Sequence, residues 1–418
     1  ACIPAGMRIV PLRENCNLRD EQFQPASSAT SRSPAKTPEE PKKETWNFLV
    51  SEDPYKIDIK SCRARQGRLL VEMTRQGFDW VLLTRGESVQ WLTGAHVPAP
   101  YVAIAAIHSS GKITLVVPSR KATPDFVADE VLTYEEKWHS TLRDEQRKAC
   151  NEQLLASLPK RLEKVGAEWS NFGPDLLTVC DEVPADFEPT VFQLRRHKDP
   201  DEIRMLRRAC DANCRMYREA REIVQPGVNE LEVYSRLHSV AVEELGEALT
   251  YFGQDFRSNA RGGLPRNRRI EGGELYILDL GVGFRGFHSD NARTLAVGGE
   301  PTEKQIQAWQ RVCEVFPLVE SYVQPGASCL QLFNEVQALL DNSSPWVFNH
   351  HLGHGVGLAP HEGPHLNPRW NDTFEVGDFF TVEPGLYHDE LRLGVRLEEN
   401  YLVTATGLEK QFAFPLEL

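Results

Sequence analysis

An internal echo limits what this chain can fold into more than any other feature. The phrase Val224-Gln-Pro-Gly-Val-Asn-Glu-Leu-Glu-Val-Tyr234 returns 99 positions later as Val323-Gln-Pro-Gly-Ala-Ser-Cys-Leu-Gln-Leu-Phe333. Each copy sets a Pro-Gly turn before a capping residue, Asn229 or Ser328, and then an amphipathic helical pattern. A second echo, displaced by 104 positions, relates Glu271-Gly-Gly-Glu-Leu-Tyr-Ile-Leu-Asp279-Leu-Gly281 to Glu375-Val-Gly-Asp-Phe-Phe-Thr-Val-Glu383-Pro-Gly385. Both of its copies end an apolar run on a carboxylate beside a glycine. Two copies of one half-domain, each with an acid at the same place, bring those acids to a shared pseudo-twofold axis. That arrangement suits a metal site between the halves.

The echo occupies the C-terminal part, expected to form one domain over 193–418. It opens with a strong helix start: Asp199 as cap, Pro200 at the first position and Glu202 three residues after the cap. The preceding stretch, 46–192, reads as a smaller α/β domain. Its elements are a helix near Arg63 to Gln76, a strand Trp80 to Thr84, an apolar segment Val89 to Gly94, and strands near Tyr101 to Ile107 and Ile113 to Val117. Residues 1–45 are rich in Pro, Ser, Lys and Glu, too poor in large apolar side chains to repay ordering, and are expected to be a disordered tail. The overall class is α/β with α+β character.

A formal charge of −13 over 418 residues argues against nucleic acid as a partner, because phosphate binding needs a concentrated basic surface. No stretch approaches the roughly 20 apolar residues of a membrane span, and the first residues lack a secretory pattern, so no membrane association and a cytoplasmic location are expected. The nine cysteines are scattered and read as reduced thiols.

Asp279 follows the apolar run Leu275 to Leu278, and Asp290 comes eleven residues later across a stretch holding Gly281, Gly283 and Gly286, so a hairpin turns both acids toward one cavity. Glu383 ends a second apolar run, where an inward carboxylate is costly unless a cation neutralises it. In Gly394-Val-Arg-Leu-Glu-Glu-Asn400, strand alternation puts Val395, Leu397 and Glu399 on one face and Arg396 with Glu398 on the other, so Glu398 is the inward acid. An Arg396–Glu398 ion pair inside the sheet is the competing reading. Five of the twelve histidines fall between His350 and His365. His354, flanked by Gly353 and Gly355, is the expected ligand; His350 and His361 are pocket candidates for hydrogen bonding or proton transfer, while His351 and His365 read as ordinary histidines.

Taken together, Asp279-Leu-Gly, Ser289-Asp-Asn-Ala-Arg-Thr294, Gly353-His-Gly-Val-Gly-Leu358, His361-Glu-Gly-Pro364, Thr381-Val-Glu-Pro-Gly385 and Gly394-Val-Arg-Leu-Glu-Glu399 resemble the pita-bread metallopeptidases, the family of methionine aminopeptidase, aminopeptidase P and prolidase. The earlier domain, with Trp91-Leu-Thr-Gly94, is similar to the creatinase/prolidase N-terminal domain, which favours the proline-directed branch. The resemblance implies a curved, mainly antiparallel sheet built from two α-β halves. It also implies two divalent cations: Asp279 chelates one, Asp290 and Glu398 bridge both, and His354 with Glu383 completes the second. Four carboxylates and an imidazole form a hard, oxygen-rich set that suits Mn²⁺ best and also Co²⁺, Fe²⁺ or Zn²⁺. Such a pair, about 3.5–4 Å apart, holds a shared hydroxide and polarises the scissile carbonyl. Glu383 is then the general base, His361 and His350 position or protonate the substrate, and Arg293 and Arg396 orient the carboxylates. The implied activity is cleavage of an Xaa-Pro bond as an aminopeptidase or dipeptidase, with a peptide or small-molecule substrate and a homodimeric assembly. A creatinase-like hydrolase or lyase of a small metabolite and a non-catalytic peptide binder are the alternatives.

The match breaks at one place. A pocket histidine usually stands about seventeen residues before the first metal aspartate, and here Asn259-Ala-Arg-Gly-Gly-Leu-Pro-Arg-Asn-Arg-Arg-Ile270 has arginines instead. One reading has one or more of Arg261, Arg266, Arg268 and Arg269 bind an anionic substrate group, with Arg261 and Arg266 the first choices; solvated loop charges are the competing reading.

Overall fold

In both copies of the echo, the same backbone hydrogen bonds tie the Pro-Gly turn to the strand entry. Gly227 N–H donates to Ile270 O at 2.8 Å and Ile270 N–H to Val228 O at 2.9 Å; in the second copy Gly326 donates to Phe374 O at 2.8 Å and Phe374 to Ala327 O at 2.9 Å. The helices that follow begin at the expected caps, with Asn229 accepting from Leu231 N–H before Glu230–Leu245 and Ser328 accepting from Gln331 N–H before Cys329–Asp341. The computed structural model describes residues 53–418. The tail expected over 1–45 lies outside the described residues.

In the first half, helices Pro200–Ile223 and Glu230–Leu245 pack on an antiparallel sheet ordered Phe287–Ala296, Leu275–Phe284, Tyr251–Ser258. In the second, helices Glu303–Cys313, Val315–Tyr322 and Cys329–Asp341 accompany a five-stranded antiparallel sheet ordered Glu362–Leu366, Gly353–Gly355, Phe379–Val382, Glu399–Thr404, Gly407–Lys410. The halves are stitched where Glu398 N–H donates to Ala292 O at 2.9 Å.

Residues before 193 build a six-stranded mixed sheet, in spatial order Glu130–Tyr134, Ile113–Pro118, Ile104–His108, Trp80–Leu83, Val165–Ala167, Ala185–Asp186. Alternation along Trp80–Leu83 sends Val81 and Leu83 into the core shared with the following helices and Leu82 into a second core on the other face. The expected helix is Ile59–Gln76, capped by Asp58 and closed by Gly77 at φ 76°. The apolar segment at 89–94 is the end of a helix, Gly86–Thr93.

At the junction, Asp199 N–H donates to Glu202 Oε2 at 3.0 Å, the reach-back half of a capping box. The fully buried Arg65 of the first helix donates to Asp199 at 3.2 Å and to both oxygens of Asp201 at 3.0 and 3.1 Å. A buried guanidinium is tolerable only when so paired.

One expectation is corrected here. Asp279 does not end its strand: Leu275–Phe284 runs on to a two-residue turn at Arg285-Gly286, with Phe284 opposite Phe287. Gly281 and Gly283 lie within the strand rather than in a turn, and they permit close approach. A Cβ at Gly283 would lie 2.6 Å from Tyr251 N, and one at Gly281 2.9 Å from the Tyr251 ring. Among the described residues, no helix is long and apolar enough to cross a membrane, and the seven described cysteines are free thiols.

Candidate metal centre

Register places the first two acids. Asp279 lies opposite Ala292 and Gly281 opposite Asp290, so Asp279 and Asp290 share one face of the hairpin on a diagonal. His354 comes from the short strand Gly353–Gly355, where no side chain fits on either side: a Cβ at Gly353 would sit 2.0 Å from Thr381 O, and one at Gly355 1.9 Å from Gly363 O. Glu383 follows the strand Phe379–Val382, and its N–H donates to Leu352 O at 2.7 Å, which fixes it beside the His354 strand. Glu398 precedes Glu399–Thr404 and points inward, while Glu399 points away to pair with Arg293 at 2.6 Å and Lys410 at 3.1 Å.

All five line one cavity of about 160 Å³, together with Gln254, Asp255, His350, His351, His361 and Arg396. Asp279, Asp290 and Glu398 each offer an oxygen within 4.8 Å of the others, and His351, His354 and Glu383 form a second such group. Burial, with Glu383 and Asp255 adding to it and Arg396 opposing it, lifts Asp279 to a pKa of about 6. Burial and the neighbouring carboxylates push Asp290 and Glu398 well above the ordinary range. Glu383 goes the other way: burial alone would raise it, but the hydrogen bond from His351 and the surrounding histidines hold it down at about 2.

The donor set fits cations. Asp279 Oδ1, Asp290 Oδ1 and both oxygens of Glu398 are buried with no hydrogen-bond partner, a cost that a fold does not carry without compensation. His354 Nδ1 lies 3.0 Å from Gly355 O, which can only accept, so the proton sits on Nδ1. Nε2 then turns its lone pair toward Asp290 and Glu383, 3.8 and 3.5 Å away, an arrangement of like-signed atoms with room for a positive ion. Burial lowers His354 to about 3, which keeps it neutral.

Around this core, His361 stacks on His354 with ring centroids 3.6 Å apart. His350 donates from Nδ1 to His351 O at 2.8 Å and receives the Tyr387 hydroxyl at Nε2, 3.0 Å away. Arg396 donates to Asp279 at 2.8 Å, to Asp255 at 2.7 Å and to the Tyr387 hydroxyl at 3.0 Å. Its partners are Asp255 and Asp279, not the Glu398 of the competing reading.

Three expectations are corrected. His351 is no bystander, because its Nε2 lies 2.6 Å from Glu383 Oε1. Arg293 does not orient an inward carboxylate: it lies on the opposite strand face from Asp290 and holds Glu399, Glu398 O, Phe414 O and Pro415 O. Arg266 is engaged by the buried Glu230 through Nε at 3.0 Å and Nη2 at 2.5 Å, so it braces a helix start rather than facing the cavity. Arg268 is likewise engaged by Glu274, and Arg269 donates to Gly227 O. Arg261 lies over the ring of Tyr387 and donates to Asn349, and none of the four arginines lines the cavity. Gln254, which donates to Asp290 at 2.8 Å, and Asp255 were not singled out in the sequence. The signal for them is their position in Tyr251–Ser258, in register with Leu275–Phe284.

Residues 204–405, which hold every one of these candidate ligands, match the model of metallopeptidase family M24, and residues 65–195 match that of the creatinase/prolidase N-terminal domain. The C-terminal part is a metallopeptidase family M24 domain. Among M24 relatives, an Xaa-Pro dipeptidase of Pyrococcus horikoshii is 29% identical over 227 residues, 53% of this chain and 64% of that protein. The alignment thus spans less than two-thirds of the curated relative. The crystal structure of the prolidase from Pyrococcus horikoshii superposes with a TM-score of 0.72 at 23% identity, covering 85% of this chain and 99% of that one. An Xaa-Pro dipeptidase from Bacillus anthracis superposes with a TM-score of 0.70 at 25% identity, over 85% and 99%. The fold is therefore the pita-bread fold of the M24 family preceded by a creatinase-like domain.

Proposed function

We propose that this chain is a dinuclear-metal peptidase that hydrolyses the bond preceding proline, in an Xaa-Pro dipeptide or at an N-terminal Xaa-Pro. The observation that carries the reading is the set of four buried carboxylate oxygens without partners on Asp279, Asp290 and Glu398, beside a neutral His354 whose Nε2 lone pair turns into the site. Asp279 would hold one cation, His354 and Glu383 the other, and Asp290 with Glu398 both. The hard donor set favours Mn²⁺. Bound there, the cations would supply Lewis acidity toward the scissile carbonyl and lower the pKa of water.

Glu383 is ionised across the working range and takes the proton of the attacking water, with His351 holding its carboxylate in place. His350 is neutral, its pKa lowered to about 4 by burial, and through Tyr387 it is tied to Arg396. His361, braced on His354, faces the same cavity and positions the substrate. The names of the M24 relatives support proline as the residue after the cleaved bond.

The test is a mass-spectrometric screen of Mn²⁺-loaded protein against Gly-Pro, Xaa-Pro-Xaa peptides and guanidino compounds. Release of the free N-terminal residue from the proline peptides is the expected result. A metal-replete protein that cleaves none of them overturns the reading.

A further inference from the structure

Behind the acids Asp290 and Glu398, three asparagines drawn from three elements pass hydrogen bonds from one to the next. Ser289 Oγ donates to Asn213 Oδ1 at 3.1 Å, Asn213 Nδ2 to Asn291 Oδ1 at 2.8 Å, Asn291 Nδ2 to Asn400 Oδ1 at 2.6 Å, and Asn400 Nδ2 to Asp290 O at 3.0 Å. The relay thus begins and ends on adjacent residues of one strand. Asn213 comes from the helix Pro200–Ile223, Asn291 from the strand Phe287–Ala296 and Asn400 from the strand Glu399–Thr404, and all three are fully buried.

The last bond stands where a main-chain rung is missing. Glu398 N–H donates to Ala292 O, and antiparallel spacing would set the next rung between Asp290 and Asn400. The backbone of Asn400 serves other partners: it lies opposite Thr381, and its carbonyl accepts Gln411 N–H at 2.8 Å. Its side-chain amide supplies the rung instead. The helix adds further bonds from the same face, with Asn213 also donating to Leu280 O at 2.7 Å, Cys210 Sγ to Asn400 Oδ1 at 3.4 Å and the Tyr217 hydroxyl to Asn291 O at 2.6 Å.

The acids themselves are held by little else. Asp290 Oδ2 accepts from Gln254, whereas Asp290 Oδ1 and both oxygens of Glu398 have no partner. Where each carboxylate stands is therefore set by its main chain, and a joined network of buried amides admits one arrangement of that main chain.

We propose that Asn213, Asn291 and Asn400 are positioning residues for the metal site: their relay fixes the strand of Asp290 against the segment that carries Glu398, so that the two acids can share two cations. The assignment rests on the dinuclear reading above. Asn213 separates a relay from an ordinary contact, because its side chain bonds neither acid.

The experiment titrates Mn²⁺ into metal-stripped wild type, N213L and N400L. Electron paramagnetic resonance counts the free ion and reads the exchange coupling of a bound pair, and urea unfolding of the same stripped proteins runs alongside. Wild type should take up two Mn²⁺ per chain with a coupled spectrum. Both variants should bind at least one of the two about 10- to 100-fold more weakly, the usual cost of losing an outer partner of a metal ligand, and the coupling should fade. A purely structural role would lower the urea midpoint and leave affinity and coupling at wild-type values; that result overturns the proposal. So does a loss confined to N400L, which reduces the relay to a single bond. Where a leucine variant does not fold, N213S or N400S replaces it under the same criteria. A wild type that binds fewer than two Mn²⁺ sinks the dinuclear reading and the relay with it, whereas coupled pairs in the wild type and in both variants sink the relay alone.

Discussion

Glu398 and Glu399 are neighbours in sequence with opposite fates, and strand alternation alone told them apart. Glu398 faces the other acids with both oxygens unpartnered, whereas Glu399 is neutralised from behind by Arg293 and Lys410. Asp290→Ala and Glu398→Ala should each cut kcat by more than about 10³-fold, as expected when residues act as a unit. Mass-spectrometric metal analysis of the same variants should find fewer than two Mn²⁺ per chain; full occupancy with normal turnover would refute the ligand set. The same alternation in the strand Phe287–Ala296 puts Arg293 on the face away from Asp290. His351 reads as an ordinary histidine for a different reason. It precedes the strand rather than lying in it, so no periodicity aims it, and only the tertiary approach of Glu383 gives it a role.

At the level of elements, the strand Gly353–Gly355 leaves no room for a side chain at either glycine. Gly353→Ala would press a methyl against Thr381 O, a backbone atom that cannot swing aside. Overpacking of this kind typically costs about 1–3 kcal/mol. The expected outcome is a lower urea midpoint together with weaker Mn²⁺ binding, because His354 is displaced. The adjoining strand Glu362–Leu366 starts with Glu362, which accepts from Lys198 at 2.9 Å and Arg195 at 2.5 Å. Burial would raise this carboxyl, but the two cations hold it at about 2. A depressed acid stabilises the fold above its unfolded pKa and loses that contribution as pH falls toward the folded value. Glu362→Gln should therefore cost about 3 kcal/mol at pH 7. In urea titrations the gap from wild type should close below about pH 4.5; a pH-independent gap would deny the pairing. The helices that carry the echo were legible because caps and turns are local chemistry. Tyr251–Ser258 was not, because Gly253, Gln254 and Asp255 break its apolar pattern and only pairing with Leu275–Phe284 makes it a strand.

Across the whole molecule, the two segments that match separate family models share one apolar core, and the buried Arg65 of the first pairs with Asp199 and Asp201 in the stretch that joins them. Arg65→Ala leaves Asp201 buried without its cation and Asp199 with Arg68 alone, which should lower stability by about 3–5 kcal/mol in equilibrium unfolding. A change below 1 kcal/mol would show the cluster to be incidental. The sequence revealed the duplication but not this joint, since nothing near Arg65 distinguishes a buried guanidinium from a solvated one. The duplication itself carries a mechanical consequence. The candidate donors are divided, two from one copy and three from the other, and the copies meet where Glu398 N–H bonds Ala292 O. Ions gripped from both sides would act as rivets across that seam. Amide exchange at Glu398 should slow when Mn²⁺ is added and quicken under a chelator, so that the loaded and stripped proteins differ in stiffness along this line before they differ in shape.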